Sequence, residues 1–323
     1  MLFSGGNSLL GLDVGSSMLK AVSLRKKGQA LLVESAGIIA TPAGAISGNL
    51  FLDAPAVSSC IRKLCRRQGL AAKRVAVSLA GEDVFVARLK VERNGEEDLE
   101  KRIRAEAARS VPFPLEQANV DYQVLEKSSD AKWAHALVVA VPSGRVYRFQ
   151  DLIRGAGKTV MVVDSTACAL ANAFQVNYRP APSEVTALVH LGAAWMTLCI
   201  VRGSIPIVTK DLPLAPSRYA PAPLDRIAVE LERLLESMDE IADEHPLEPR
   251  SSQIKRLMLS GGGARMRGLD EVLRDRIGLP FEEMNPFLNI QPKNSDSINR
   301  LVTDHLHCMT VAVGLALRAF EEI

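Results

Sequence analysis

Two short stretches carry residue types that can hold an anion. The first is Leu12-Asp13-Val14-Gly15-Ser16-Ser17-Met18-Leu19-Lys20. Gly15 has no Cβ, so the backbone N–H groups of a tight hairpin there can approach a phosphate closely. Ser16 and Ser17 add hydroxyl donors, and Asp13 can hold Mg²⁺ through water. The second stretch is Ser260-Gly261-Gly262-Gly263-Ala264, between an apolar strand and a helix. Its three glycines let a planar base or ribose lie against bare backbone, and a helix start offers free N–H groups. Taken singly, the first is equally an ordinary hairpin and the second a flexible turn.

The elements around these stretches follow from periodicity. Strands are expected over Ser8–Gly15, Met18–Leu24 and Leu31–Ile39, a β-meander rather than the strand-turn-helix opening of a dinucleotide-binding unit. A helix over Ala56–Gly69 places Val57, Cys60, Ile61, Leu64 and Cys65 on one face. Arg62, Lys63, Arg66 and Arg67 then form a solvated face. Strands at Arg74–Gly81 and Val84–Val91 are followed by a possible capping box, Asn94-Gly95-Glu96-Glu97, and a helix over Asp98–Ser110. Two more strands, Asp121–Leu125 and His135–Val141, complete what reads as a small inserted subdomain. Then come a helix over Ser143–Gly155, a strand over Thr159–Val163 and a helix over Thr166–Phe174. Leu212–Leu224 is proline-rich and loop-like. A periodic helix spans Asp225–Ala242, the strand Arg256–Leu259 leads into the glycines, and helices over Gly268–Ile277 and Thr310–Phe320 follow.

Residues 8–24 and 187–203 share one design: apolar strand, polar residue, any residue, glycine, small turn, apolar strand. That is an internal repeat of two half-molecules. The second copy reads His190-Leu191-Gly192-Ala193-Ala194.

Bulk properties exclude several classes. The chain has 323 residues, 47% apolar and 24% charged, which fits a globular protein of about two domains. A net charge of +2 without a long basic run gives no footprint for nucleic acid. The five cysteines, Cys60, Cys65, Cys168, Cys199 and Cys308, show neither metal spacing nor an even count, so they read as reduced core residues of a reducing compartment. The first residues lack the pattern of a signal peptide, and the longest apolar stretch, Ala187–Val201, is too short to span a bilayer. A soluble chain is expected; if it works at a membrane, something else holds it there.

The two hairpins, the strand-GGG-helix and the apolar terminal helix occur in the order of the actin and Hsp70 superfamily. The detail is closer. Gly11-Leu12-Asp13-Val14-Gly15-Ser16-Ser17 with Lys20, Val111-Pro112-Phe113, Asp121-Tyr122-Gln123-Val124, Leu259-Ser260-Gly261-Gly262-Gly263-Ala264 with Gly268-Leu269, Asn285-Pro286-Phe287 and Val313-Gly314-Leu315-Ala316-Leu317-Arg318 together resemble the PilM family. That family comprises cytoplasmic actin-like proteins of type IV pilus assembly and is related to FtsA. The resemblance implies an α/β, two-lobed actin-like fold: lobe I over 1–184 with an inserted subdomain near 87–142, and lobe II over 185–323 with a shortened outer part near 216–253. It implies a cleft for ATP and Mg²⁺ lined by Asp13, Gly15, Ser16, Ser17, Lys20, Gly192, Ala193, Gly261, Gly262 and Gly263, with Asp13 as the metal partner. It also implies a groove beside the inserted subdomain for the N-terminal cytoplasmic peptide of a PilN-type inner-membrane protein. The chain would then sit at the inner membrane through partners, among other assembly and motor components.

Departures from the family pattern bear on chemistry. The family's Asp-x-Gly at the second hairpin is His190-Leu191-Gly192 here, and a neutral imidazole is a poor Mg²⁺ partner. The family's Gly-Gly turn is replaced by Asp211-Leu212-Pro213-Leu214-Ala215-Pro216, and the helical Glu and Lys near the nucleotide lack counterparts. Weak or absent hydrolysis is expected, and nucleotide binding stays open. The rivals are an active ATPase or division protein of the FtsA type, and a sugar or acetate kinase. The terminus from Arg318 to Ile323 offers no separate amphipathic helix for the first. The short second half leaves little room for a kinase's substrate lobe. Gly155-Ala156-Gly157-Lys158-Thr159 is a helix-end turn, since Leu152 stands where a Walker loop needs glycine. Asp164 reads as facing the cleft or capping the following helix. His305 with Cys308 is not expected to hold zinc, and Trp133 and Trp195 are expected to be packing residues.

Overall fold

The structure is a computed structural model that describes residues 9–92, 99–125, 132–214, 223–244, 250–292 and 296–320. The chain builds the same five-stranded motif twice. In the first, β1 (Leu9–Val14), β2 (Met18–Lys27) and β3 (Ala30–Ala40) form an antiparallel meander. After the helix α1 (Ala54–Arg67), β6 (Arg74–Leu79) adds parallel to β1, and β10 (Thr159–Ser165) adds parallel to β6. In the second, β11 (Val185–Leu191), β12 (Trp195–Arg202) and β13 (Ile205–Pro213) form the meander. After α5 (Pro223–Glu244), β14 (Ile254–Ser260) adds parallel to β11 and β15 (Phe281–Glu283) parallel to β14. The strand orders are β10-β6-β1-β2-β3 and β13-β12-β11-β14-β15, the duplicated two-lobed arrangement of the actin-like fold. A late strand, β16 (Ile290–Pro292), extends the first sheet beyond β3.

Both sheets are covered on both faces, so their central strands are mainly apolar. Leu10 and Leu12 of β1 point into a core with Ile61, Leu64 and Ile153. Leu9 points the other way, into a cluster with Leu170, Phe174, Leu188, Met258 and Leu315 that joins the halves. Two helices run between the sheets: α4 (Thr166–Tyr178) and α8 (Thr310–Leu317), the latter buried on every face. Backbones touch there. A Cβ on Gly314 would lie 1.8 Å from Ala169 O, and one on Gly11 would lie 2.1 Å from Ala312 O. Glycine is required at both positions because of that approach.

The first half carries an insertion between β6 and the helix α3 (Ser143–Gly155). It consists of β7 (Phe85–Glu92), α2 (Leu99–Ser110), β8 (Ala118–Val124) and β9 (Trp133–Pro142), with strand order β7-β9-β8. Ile103 and Ala107 of α2 pack on Leu89, Val91, Ala136 and Val138.

Several elements differ from expectation. The sequence reading places no strand over 205–213, yet β13 completes the second meander. Pro206 and Pro213 obscure it, and both are tolerated because β13 is an edge strand. The hairpin β4 (Ile46–Ser47) with β5 (Leu50–Phe51) and the short β15 and β16 are too brief for any periodicity to register. The three glycines open a 3₁₀ turn, Gly262–Arg265, rather than a long helix. The helix α6 (Leu269–Val272) starts after Gly268 and runs into a π-helical turn, Leu273–Ile277. A further helix, α7 (Asp296–His305), precedes α8. The expected capping box at 94–97 lies outside the described residues, as does most of the proline-rich stretch.

Candidate functional site

The two meander turns face one another across a cleft of about 560 Å³. Its lining includes Asp13, Gly15, Ser16, Ser17, Lys20, Gly192, Ala193, Gly261, Gly262 and Gly263, so all ten residues singled out from the sequence meet in one gap. The turns are built alike. Gly15 N–H donates to Met18 O at 3.2 Å, and Gly192 N–H donates to Trp195 O at 2.9 Å. A Cβ on either glycine would stand 2.9 Å from that same oxygen. Thr41 Oγ1 donates to Gly15 O at 2.7 Å and pins the first turn. Gly261 has φ +87°, and a Cβ there would lie 2.4 Å from Leu191 O, so the glycine loop is pressed onto the second turn.

The chemistry of the two turns differs. Asp13 and Lys20 are cross-strand partners and form an ion pair at 2.9 Å. The equivalent strand position in the second half is His190, opposite Thr197. His190 Nδ1 lies 3.0 Å from Ser260 Oγ. Burial pushes its pKa down to about 4, with Asp13 opposing and Lys20 adding to the shift, so the imidazole is neutral near pH 7. Thr197 donates instead to Asp211 on β13.

Asp211 links the halves. Its Oδ2 accepts the N–H of Gly81, which follows β6, at 2.8 Å. Arg145 of α3 binds Asp83 and donates to Ala80 O at 3.0 Å, holding that loop. Burial raises the Asp211 pKa to about 6, against the lowering effects of Thr197, Gly81 and Arg145. The sequence reading missed Arg145, Thr197 and Asp211 as cleft-side residues. Their partners lie far away in the chain, and no local pattern marks them. Trp195, expected to be a packing residue, lines the cleft, and its buried Nε1 has no partner among the described residues. Cys308 also lines the cleft, and burial raises its thiol pKa.

The residues present do not suit a divalent cation. Mg²⁺ takes oxygen ligands in near-octahedral geometry. Among the described residues Asp13 is the one carboxylate in the cleft lining, and its Oδ2 is already paired with the Lys20 ammonium. Among the described residues no cluster of three or more His, Cys, Asp or Glu side chains could hold a metal, His305 and Cys308 included.

A second concavity, about 690 Å³, lies beside the insertion. One wall is β8, which among the described residues pairs with β9 along one edge only. Its floor is apolar, with Val139, Val141 and Val163. From the far side α4 contributes Asn172, whose buried Nδ2 has no partner among the described residues, the β12–β13 turn contributes Ser204, and the start of β13 contributes Ile205 and Pro206. Asp164 lies here rather than in the cleft, 3.6 Å from Arg318. The N-cap of α4 is its neighbour Ser165, whose Oγ accepts the N–H of Cys168 at 3.0 Å. No described helix is long and apolar enough to cross a membrane.

Comparison with known proteins matches residues 11–219 and 246–320 to the family model "Type IV pilus assembly protein PilM". Among solved structures, one described as the PilM-PilN type IV pilus biogenesis complex is 24% identical, with a TM-score of 0.78, covering 97% of this chain and 99% of that one. The ethanolamine utilization protein EutJ from Carboxydothermus hydrogenoformans is 12% identical, with a TM-score of 0.49 and coverage of 95% and 88%. The cytoplasmic domain of EpsL, an inner-membrane component of the Vibrio cholerae type II secretion system, is 12% identical, with a TM-score of 0.46 and coverage of 92% and 93%.

Proposed function

Because this chain belongs to the PilM family of type IV pilus assembly proteins, we propose that it is an adaptor whose groove beside the insertion takes the N-terminal cytoplasmic peptide of a PilN-type inner-membrane protein. The carrying observation is the edge of β8 that no described strand pairs with, above an apolar floor. An extended peptide can add to such an edge by main-chain hydrogen bonds, with alternate side chains reaching the floor. The unpartnered Asn172 Nδ2 supplies a donor on the opposite wall, and an unmade buried hydrogen bond costs about 1–3 kcal/mol, which a bound carbonyl would recover. In this reading the lobes divide near 184/185, the partner tethers the chain to the inner membrane, and motor components engage it from the cytoplasm.

We further propose that the cleft between the lobes holds a nucleotide, ATP being the natural candidate. Its phosphates would lie on Gly15, Ser16, Ser17 and Lys20 and its base or ribose against the three glycines. The volume suits a ligand of that size. With Asp13 the one carboxylate among the described lining residues, hydrolysis is weak or absent, and the chain acts as a binder. Calorimetric titration with a PilN-type N-terminal peptide tests the adaptor. A dissociation constant below about 100 μM, or about −5.5 kcal/mol, is expected. Val124 is 46% exposed at the end of β8, so Val124→Glu should fold normally and weaken binding. No binding by the wild type at that concentration sinks the proposal.

A further inference from the structure

The internal repeat makes the two cleft turns directly comparable, and their difference bears on which form of ligand the cleft accepts. In the first turn the carboxylate of Asp13 is matched by the ammonium of Lys20, both side chains being 13% exposed. In the second, the position equivalent to Asp13 is a buried imidazole tied to Ser260, and the position equivalent to Lys20 is a threonine tied to Asp211. Among the described lining residues Arg145 is already bound to Asp83, which leaves Lys20 as the cation beside the first turn. A bare divalent cation gains little there, because it would compete with the Lys20 ammonium for the Asp13 carboxylate. An anion gains more. It can share Lys20 with Asp13 and accept from the hydroxyls of Ser16 and Ser17, and charge-assisted bonds of that kind are the strong ones.

We propose that this cleft takes its nucleotide as the metal-free anion, with Lys20 as the counter-ion and His190 as the residue that denies Mg²⁺ a second oxygen ligand. The inference rests on the nucleotide reading above and sharpens it: His190 sets the form in which the ligand is bound.

The test is calorimetric titration of ATP into the whole chain, in excess Mg²⁺ and again in excess EDTA. The expected result is an affinity equal in the two buffers to within about threefold, or about 0.65 kcal/mol. His190→Asp places a second carboxylate across from Asp13. In that variant Mg²⁺ should tighten ATP binding about tenfold relative to EDTA. Wild-type binding that appears in Mg²⁺ and vanishes in EDTA overturns the inference while leaving the nucleotide reading intact. Absence of ATP binding in both buffers overturns the two together. The wild-type comparison decides the matter whether or not His190→Asp folds.

Discussion

The two halves of this molecule share a frame and differ in what is attached to it. Each has a three-stranded meander, two added parallel strands and a helix that runs to the centre, α4 in the first and α8 in the second. Each has a turn in which a glycine N–H closes onto a carbonyl three residues on. After β6, however, the first half inserts the three-stranded sheet and α2. After β14, the second half goes straight into three glycines. The insertion provides the groove and the β8 edge. The glycines close the back of the cleft. Duplication thus supplies a rigid frame, and the departures from symmetry supply the two candidate binding surfaces.

The centre, where the halves meet, is the least forgiving place to perturb. Gly314→Val would drive a side chain into the backbone of α4, which is rigid on both sides. Overpacking costs about 1–3 kcal/mol even where side chains can move, and more against backbone. Chemical denaturation should show a loss above about 3 kcal/mol or no folded protein; a loss under about 1 kcal/mol would mean that the helices are not in contact.

The next effect concerns the link between the halves. The folded pKa of Asp211, about 6, lies above its ordinary value of 3.8, so the native state binds the proton more tightly than the unfolded chain. Its contribution to stability is therefore largest below about pH 4 and declines as pH rises to about 6, by at most about 3 kcal/mol before solvent screening. Asp211→Asn removes the buried charge and keeps an oxygen for the Gly81 N–H. The variant should be more stable than the wild type at pH 8, and its stability should vary less between pH 4 and 6. Equal pH profiles for the two proteins would contradict the burial of that carboxylate.

The smallest effect tests the symmetry of the central helices. α4 is capped by the Ser165 hydroxyl, whereas α8 begins at Met309 with no side-chain cap. Ser165→Ala should cost about 1 kcal/mol, read from the shift in the denaturation midpoint. No change would mean that packing alone holds the start of α4.

Much of this was legible in the residues because it is written in local pattern. The glycine turns at Gly15 and Gly192, the apolar strands around them and the repeat between residues 8–24 and 187–203 each need only a short window. The cleft residues of the two glycine motifs could be singled out for the same reason, and the full set of ten followed from the family resemblance. What could not be read depends on distant contact. Asp211 looks like part of a loop until β13 pairs with β12 and brings it to Gly81. Asn172 is one of several polar residues on α4, no different from Gln175, until β8 stands opposite. Arg145 looks like a surface residue of α3 until the loop carrying Asp83 folds over it.

Hydrogen exchange measured with and without a saturating PilN-type N-terminal peptide tests the account most directly. Protection is predicted along β8 and β9 and along the α4 face that carries Asn172, with the cleft turns at Gly15 and Gly192 nearly unchanged. Protection confined to those turns and the glycine loop, with β8 exchanging as before, would contradict the assignment of the partner surface to the insertion.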